Sequence, residues 1–180
     1  MPVAIEAERS QQADNEMASD NGEGGADVIS VASSASDHID NTANADLTPG
    51  EQPIIGGVQG PRGEVIVGGR IVVFTDGACR NNQHKALRRA GVGGFWAHDH
   101  PLNFGECLLD GEQTNNRAEL FALIKVLRVD SRPLEVRSDS KYVIDGVLKH
   151  RFRWKRSGWR GKRKDIANAD LWRELDELLD

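Results

Sequence analysis

Aromatic side chains are scarce and one-sided in this chain: there are ten Phe, Trp and Tyr among 180 residues, and the first is Phe74. A long N-terminal stretch therefore lacks the bulky groups that dominate core burial. Basic residues are almost missing from the same stretch, where Arg9 and Arg62 stand against twelve Asp and Glu in residues 1–69. Cysteine is nearly absent. Cys79 and Cys107 have neither metal-site spacing nor the density of a disulfide scaffold, and they read as small thiols suited to a reducing compartment. No window approaches the ~18 to 20 apolar residues of a membrane span, and the acidic start lacks the basic flank and apolar stretch of a signal peptide. These absences predict an intracellular protein, of nucleus or cytoplasm, with no membrane segment.

The charge is divided. The net −5 is the sum of −10 over residues 1–69 and +5 over residues 70–180. From Met1 to about Gly50 the composition is Ala, Ser, Asp, Asn, Glu and Gly without sustained period. Such a segment cannot bury enough apolar surface to offset the ~1–2 kcal/mol per residue that ordering a backbone costs. Residues 1–69 are therefore expected to form a disordered acidic tail and linker, ahead of a folded domain over 70–180. That domain is basic, as a polyanionic partner requires.

After Gly69 short elements begin. Ile71 to Thr75 predicts a strand buried on both faces; Gly91 to Ala97 and Phe104 to Leu109 complete an antiparallel meander around the turn signals of "HDHPLN". Thr114 is placed to cap a helix whose Leu120, Leu123, Ile124 and Leu127 keep one apolar face. A fourth strand, Leu134 to Ser138, is followed by a short helix to about Leu148. A last helix, Asn168 to Leu179, has Asn168 as N-cap and an apolar face through Leu171, Trp172, Leu175, Leu178 and Leu179. Strands, helix, strand and helices make an α/β arrangement. Between the last two helices lies "KHRFRWKRSGWRGKRK", nine Lys and Arg and three aromatics with no acid, which reads as a basic protrusion gripping a nucleic-acid backbone.

Two of the predicted strands run into carboxylates, Asp76 and Asp139, and Glu119 lies about one turn into the first helix. If the first and fourth strands are parallel neighbours, both Asp residues leave the sheet at one end and the helix sets Glu119 over them. Three acids in one place repel each other unless hard cations with oxygen ligands neutralise them, and Mg²⁺ is the ordinary cellular choice. Two such ions about 4 Å apart can activate water and stabilise the leaving oxygen of a phosphodiester.

The words "TDGAC", "TNNRAEL", "SDSKYV", "WKRSGWR" and "NADLW", in this order, closely resemble type 1 ribonuclease H, and "HDHPLNFGE" resembles its eukaryotic branch. The resemblance runs from about Arg70 to the C-terminus. It implies a ribonuclease H-like mixed sheet of three antiparallel strands plus a parallel one, with flanking helices. It also implies a monomeric endonuclease that cleaves the RNA strand of RNA–DNA hybrids with Mg²⁺, or Mn²⁺ as substitute. On this resemblance Asp76, Glu119 and Asp139 are the catalytic metal ligands. Cys79, Asn81, Asn115 and Asn116 line the hybrid's minor groove; Thr114 and Asn168 hold a DNA phosphate; Tyr142, His150, Trp154 and Trp159 lie in the region of the DNA-strand channel.

The resemblance also implies a fifth strand, a His-bearing loop and a fourth carboxylate opening a last helix, and the sequence reaches Asp180 without them. The expectation is a C-terminally truncated member, lacking the last strand and helix, with Leu134 to Ser138 left as a sheet edge. Asp176, Glu177 and Asp180 belong to a helix placed elsewhere and are not expected to replace the missing acid. Glu112 stands where relatives often carry a basic residue. The alternatives are a hybrid-binding module without catalysis and the ribonuclease H piece of a retroelement polyprotein.

Overall fold

The computed structural model describes residues 57–180 and, upstream of them, only the backbone of two strands, Val3–Glu6 (β1) and Asp27–Ser33 (β2). Expectations for the rest of residues 1–56 lie outside the described residues. A hairpin, Val58–Gln59 (β3) and Val65–Val67 (β4), leads into the central strand, Arg70–Arg80 (β5). The boundary expected at Arg70 thus falls on a strand already joined to an ordered hairpin. The short Gly-rich run hid this pairing, because its apolar residues are too few to show a period.

Ile71, Val72 and Val73 are buried, as their unbroken apolar run predicts. Yet β5 does not stop at Thr75. It continues through Asp76 to Arg80, pairing antiparallel with Arg89–Phe95 (β6), and Asp76 stands opposite Gly93. Beyond Thr75 the residues on one face of the strand, Asp76, Ala78 and Arg80, are exposed, so the ladder carries on without large apolar side chains. Phe104–Cys107 (β7) extends the meander. A helix, Asn115–Val129 (α1), then crosses to Leu134–Ser138 (β8), which lies parallel to β5 from Ile71↔Leu134 to Phe74↔Arg137. This is the expected mixed sheet, enlarged to eight strands in the order β1-β2-β8-β5-β4-β3, with β6 and β7 continuing from β5. β8 is not an edge, because β2 pairs antiparallel along it.

The core lies between the sheet and its helices. Leu120, Leu123, Ile124 and Val126 of α1 are buried against Val73, Leu134 and Val136. Ala169–Leu179 (α4) adds Leu171, Trp172, Leu175 and Leu179 to the same cluster. The helix expected from Ser140 is Lys141–Asp145 (α2). It runs through a wider turn at Gly146–His150 into Arg151–Arg156 (α3), so the first part of the basic stretch is helical. A Cβ on Gly146 would stand 2.0 Å from the Trp172 ring, so only glycine lets this helical segment approach α4.

A buried polar network closes the end of the sheet where β5 and β8 begin. Glu64 is fully buried; its carboxylate accepts hydrogen bonds from the Arg62 N–H (2.8 Å) and Arg132 (3.0 Å), and lies 3.2 Å from His100 Nε2. Arg132 also grips Asp130 through Nε (2.8 Å) and a terminal nitrogen (2.7 Å), and Trp96 Nε1 donates to Asp130 (2.9 Å). Next to this network the Ile71 N–H donates to Pro133 O at 2.9 Å, which sets the β5–β8 register.

Candidate active site

Parallel pairing of β5 and β8 brings Asp76 and Asp139 to one end of the sheet, and α1 supplies Glu119. Ligand atoms of the three carboxylates lie within 4.8 Å of one another. The approach of α1 depends on Gly77, where a Cβ would stand 2.2 Å from the Glu119 amide nitrogen. A glycine inside a strand marks such close backbone contact. Glu119 is 6% exposed while Asp76 and Asp139 are open to solvent. Burial, then the charges of Asp76 and Asp139, push the Glu119 carboxyl up to about 7 against a backbone hydrogen bond from Gly77 that lowers it. Its Oε2 is buried without a hydrogen-bond partner. An unpartnered buried oxygen beside two further carboxylates is a donor set suited to a hard divalent cation.

Thr114 caps α1, its Oγ1 accepting from the Arg117 N–H at 3.3 Å, as the spacing predicts. Asn115 turns back onto β5: its Oδ1 accepts from the Cys79 N–H (3.2 Å), while the Cys79 thiol donates to Gln113 O (3.2 Å). Asn81 follows β5 with φ +54°, and its amide donates to Leu87 O at 3.3 Å. Thr114, Asn115, Asn116 and Asn168 share one groove with Arg88, Lys164 and Glu112. The structure thus gathers Cys79 with Asn115, and Thr114 with Asn116 and Asn168, next to the carboxylates' helix.

Asn168 departs from its expected role. It stands at the N-cap position of α4 with φ +57°, but its side chain does not cap the helix. Its amide donates to the Tyr142 hydroxyl (3.1 Å), and its Oδ1 accepts from Arg117 (3.4 Å). Tyr142 is a hub, accepting also from Trp172 Nε1 (2.9 Å) and donating to Ala167 O (3.2 Å). Its hydroxyl is spent inside the protein. His150 packs on Trp154 with ring centroids 5.1 Å apart, and Trp154 on Trp172 at 5.2 Å. Trp159 is buried in the core and supports the basic segment from beneath. Phe152 is exposed under the Arg151 guanidinium.

Three residues that position this region went unread in the sequence. Gln113, just before the α1 cap, ties β6 to the segment after β7, accepting from the Ala90 N–H (2.9 Å) and donating to Leu108 O (3.0 Å). Arg117 reaches from α1 to α4 and pairs with both oxygens of Asp170, at 3.0 and 2.6 Å. Gly77 is the third; its place directly after Asp76 was the available signal. Asp176 and Asp180 are engaged elsewhere: Asp176 meets Arg151 (3.2 Å) and Lys155 (2.8 Å), and Asp180 also pairs with Lys155.

The family profile of RNase H matches residues 69–180. Ribonuclease H1 of Rattus norvegicus is 40% identical over 117 residues, which cover 62% of this chain and 40% of the rat protein. Ribonuclease H of Rhizobium meliloti is 42% identical over 113 residues, covering 58% of this chain and 67% of that protein. Among solved structures, LC9-RNase H1, a type 1 RNase H with the type 2 active-site motif, aligns with a TM-score of 0.46 at 24% identity, over 61% of this chain and 57% of its own. The chain thus spans about two fifths of the length of its rat relative. Because the profile over residues 69–180 runs through Asp76 of β5, Glu119 of α1 and Asp139 just after β8, and through the whole of α4, the chain belongs to the ribonuclease H family.

Proposed function

We propose that the chain is an endonuclease that hydrolyses the RNA strand of RNA–DNA hybrids. The observation that carries this reading is the convergence of Asp76, Glu119 and Asp139 within 4.8 Å, with an unpartnered buried oxygen on Glu119. Asp76, Glu119 and Asp139 would hold two divalent ions, Mg²⁺ or in its place Mn²⁺. Such ions supply a water of lowered pKa and a charge that stabilises the leaving oxygen of a phosphodiester. Gly77 lets α1 approach β5 closely, which brings Glu119 beside the two aspartates. The high proton affinity of Glu119 makes its deprotonation the event that opens the site to a cation.

Recognition is assigned to the surfaces on either side. Cys79, Asn81, Asn115 and Asn116 face the hybrid's minor groove, where amide groups read 2′-hydroxyls, the mark of an RNA strand. Thr114 and Asn168, with Arg88 and Lys164 in the same groove, take a phosphate of the DNA strand. Tyr142, His150 and Trp154 form the wall of the DNA channel, with Tyr142 acting through its ring because its hydroxyl is already bonded. The domain works as a monomer. No helix among the described residues is long and apolar enough to cross a membrane.

Incubation with a labelled hybrid, the matching RNA duplex and DNA duplex tests the reading. Mg²⁺- or Mn²⁺-dependent cutting of the hybrid's RNA strand alone, abolished by Asp76→Asn, is the expected result. Hybrid binding without metal-dependent cleavage would favour the non-catalytic binding module instead.

A further inference from the structure

Two glycines of the sheet have no cause inside the protein. Gly77 and Gly94 are demanded by close neighbours: a Cβ on Gly94 would stand 2.4 Å from the Phe104 ring, as one on Gly77 would meet the Glu119 backbone. Gly93 and Gly105 are different. A Cβ on Gly93 would reach only the Asp76 and Phe104 carbonyl oxygens, at 3.8 Å, one on Gly105 would meet nothing within 4 Å, and neither residue has a positive φ. Glycine weakens a strand, and where neither strain nor an internal contact requires it, it marks the approach of something from outside. The two stand opposite each other on β6 and β7, and Gly93 stands opposite Asp76. Beside this row Phe74 and Phe95 are cross-strand partners, 44% and 48% exposed. Phe74, Asp76, Gly93, Phe95, Asn103 and Gly105 line a hollow of about 370 Å³. On the other side of the row Ala78 stands opposite Gly91, and then Arg80 opposite Arg89. Alternation sets all of these on the face turned away from α1, about 20 Å from the phenylalanines to the arginines. Both arginines are exposed, and among the described residues no acid pairs with them.

We propose that this sheet face binds unpaired RNA continuing from the strand that is cut: its bases stack on Phe74 and Phe95 over the glycine floor, and its phosphates reach Arg80 and Arg89. This rests on the hydrolase reading above, which makes RNA the strand at Asp76. Exposed aromatic rings on a sheet are platforms for unstacked bases, and free arginines neutralise the backbone between them. A paired strand hides its base faces in the stack, so the rings select single-stranded RNA. The unpaired arginines favour a polyanion over an apolar protein segment. The hollow ends at Asp76, in the carboxylate cluster where Glu119 Oε2 is buried without a partner, so a strand seated in it leads directly to that cluster.

The test uses the full-length chain in chelator, so that binding is read without cutting. Fluorescence anisotropy compares a blunt RNA–DNA hybrid with the same hybrid carrying a short unpaired extension of its RNA strand, at one end or the other. One of the extended hybrids should bind at least ~5-fold more tightly than the blunt one at ~100 mM salt. Gly105→Val fills the floor with a residue that strands favour, so it should keep or raise the urea midpoint and still remove the gain. Phe74→Leu with Phe95→Leu keeps apolar bulk without the rings and should remove the gain too. Arg80→Gln with Arg89→Gln should reduce it and flatten its salt dependence. No gain with either extension, or a gain that survives both Gly105→Val and the double Leu variant, would overturn the proposal. A gain seen only when the extension is on the DNA strand would overturn the assignment to RNA. Sedimentation showing a dimer that Gly105→Val dissociates would give the face to a second copy instead. A gain without metal-dependent cutting of the hybrid would refute the hydrolase reading and leave this face standing, whereas cutting without a gain would do the reverse.

Discussion

Gly77 and Glu119 are in backbone contact: a Cβ added to Gly77 would lie 2.2 Å from the Glu119 amide nitrogen and 2.5 Å from the Ala118 carbonyl carbon. Both obstacles are main-chain atoms, which cannot rotate away. Gly77→Ala must therefore lift the first turns of α1 from β5 and carry Glu119 with them. Overpacking of this kind costs typically ~1–3 kcal/mol. Urea unfolding should show a loss in that range, and the rise in Tm on adding Mn²⁺ should shrink at the same time. A stable Gly77→Ala protein with an unchanged metal response would show that the contact does not position Glu119.

The Glu119 carboxyl gives a pH dependence of definite sign. Its folded value of about 7 stands above the ordinary 4.5, so the folded apo protein holds this proton more tightly than the unfolded chain does. That contribution, on the order of 3 kcal/mol for 2.5 pH units, is fully present below about pH 4.5 and is lost as pH rises through about 7. The apo protein should lose stability over this window, and Glu119→Gln should be the more stable form at pH 8. Metal binding should run the opposite way, strengthening as pH rises through 7 with release of a proton. Calorimetry in buffers of different ionisation enthalpy counts that proton, and a count of zero at pH 6 would contradict the assignment.

Glu64 behaves in the reverse sense. Burial alone would raise its carboxyl, but hydrogen bonds from its own backbone and that of Arg62, then from Arg132 and His100, hold it at about 2. Its stability contribution is therefore present above the ordinary 4.5 and lost as pH falls toward 2. Glu64→Gln leaves Arg132 with Asp130 alone at one end of a buried network, so a loss of about 2–3 kcal/mol at pH 7 is expected. The mutant's stability should be flatter between pH 5 and 3 than that of the native chain. Removing residues 57–67 should cost at least as much, although the family match begins only at residue 69.

How far the sequence revealed these features depended on the range of the interaction. β8 and the α1 cap were legible to the residue, because each is set by apolar period or by a local hydrogen bond. The meeting of Asp76, Glu119 and Asp139 followed from acids placed directly after the apolar runs of β5 and β8, once the two strands were taken as parallel, although β5 itself continues past Asp76. Glu64 with Arg132, Arg117 with Asp170, and β2 with β8 were not legible. Each joins residues separated by 53 positions or more, and a lone Glu or Arg carries no periodic signature. Asn168 was misread because an Asn before a helix is usually a cap, whereas here the left-handed backbone turns its amide to Tyr142.

The basic stretch yields a prediction that separates its own members. Lys155 is held by Asp176 and Asp180, which raise its affinity for its proton, and Arg160 lies 3.8 Å from Asp165. Arg153, Arg156, Lys162 and Arg163 are exposed, and among the described residues no acid pairs with them. A cation already paired with carboxylates neutralises a phosphate only after giving up those partners, so it releases less condensed counterion on binding. Each phosphate contact made by an unpaired cation contributes about 0.9 to the slope of log affinity against log salt on a B-form duplex. Replacing Arg153, Arg156, Lys162 and Arg163 with Ala should flatten that slope by ~2–4 with little change in unfolding free energy. Lys155→Ala should do the opposite. It should leave the slope nearly unchanged and weaken the join between α3 and α4, because buried Asp176 would then have only Arg151. Equal slopes for the fourfold variant and the native chain would place the nucleic-acid face away from this segment, however basic its sequence.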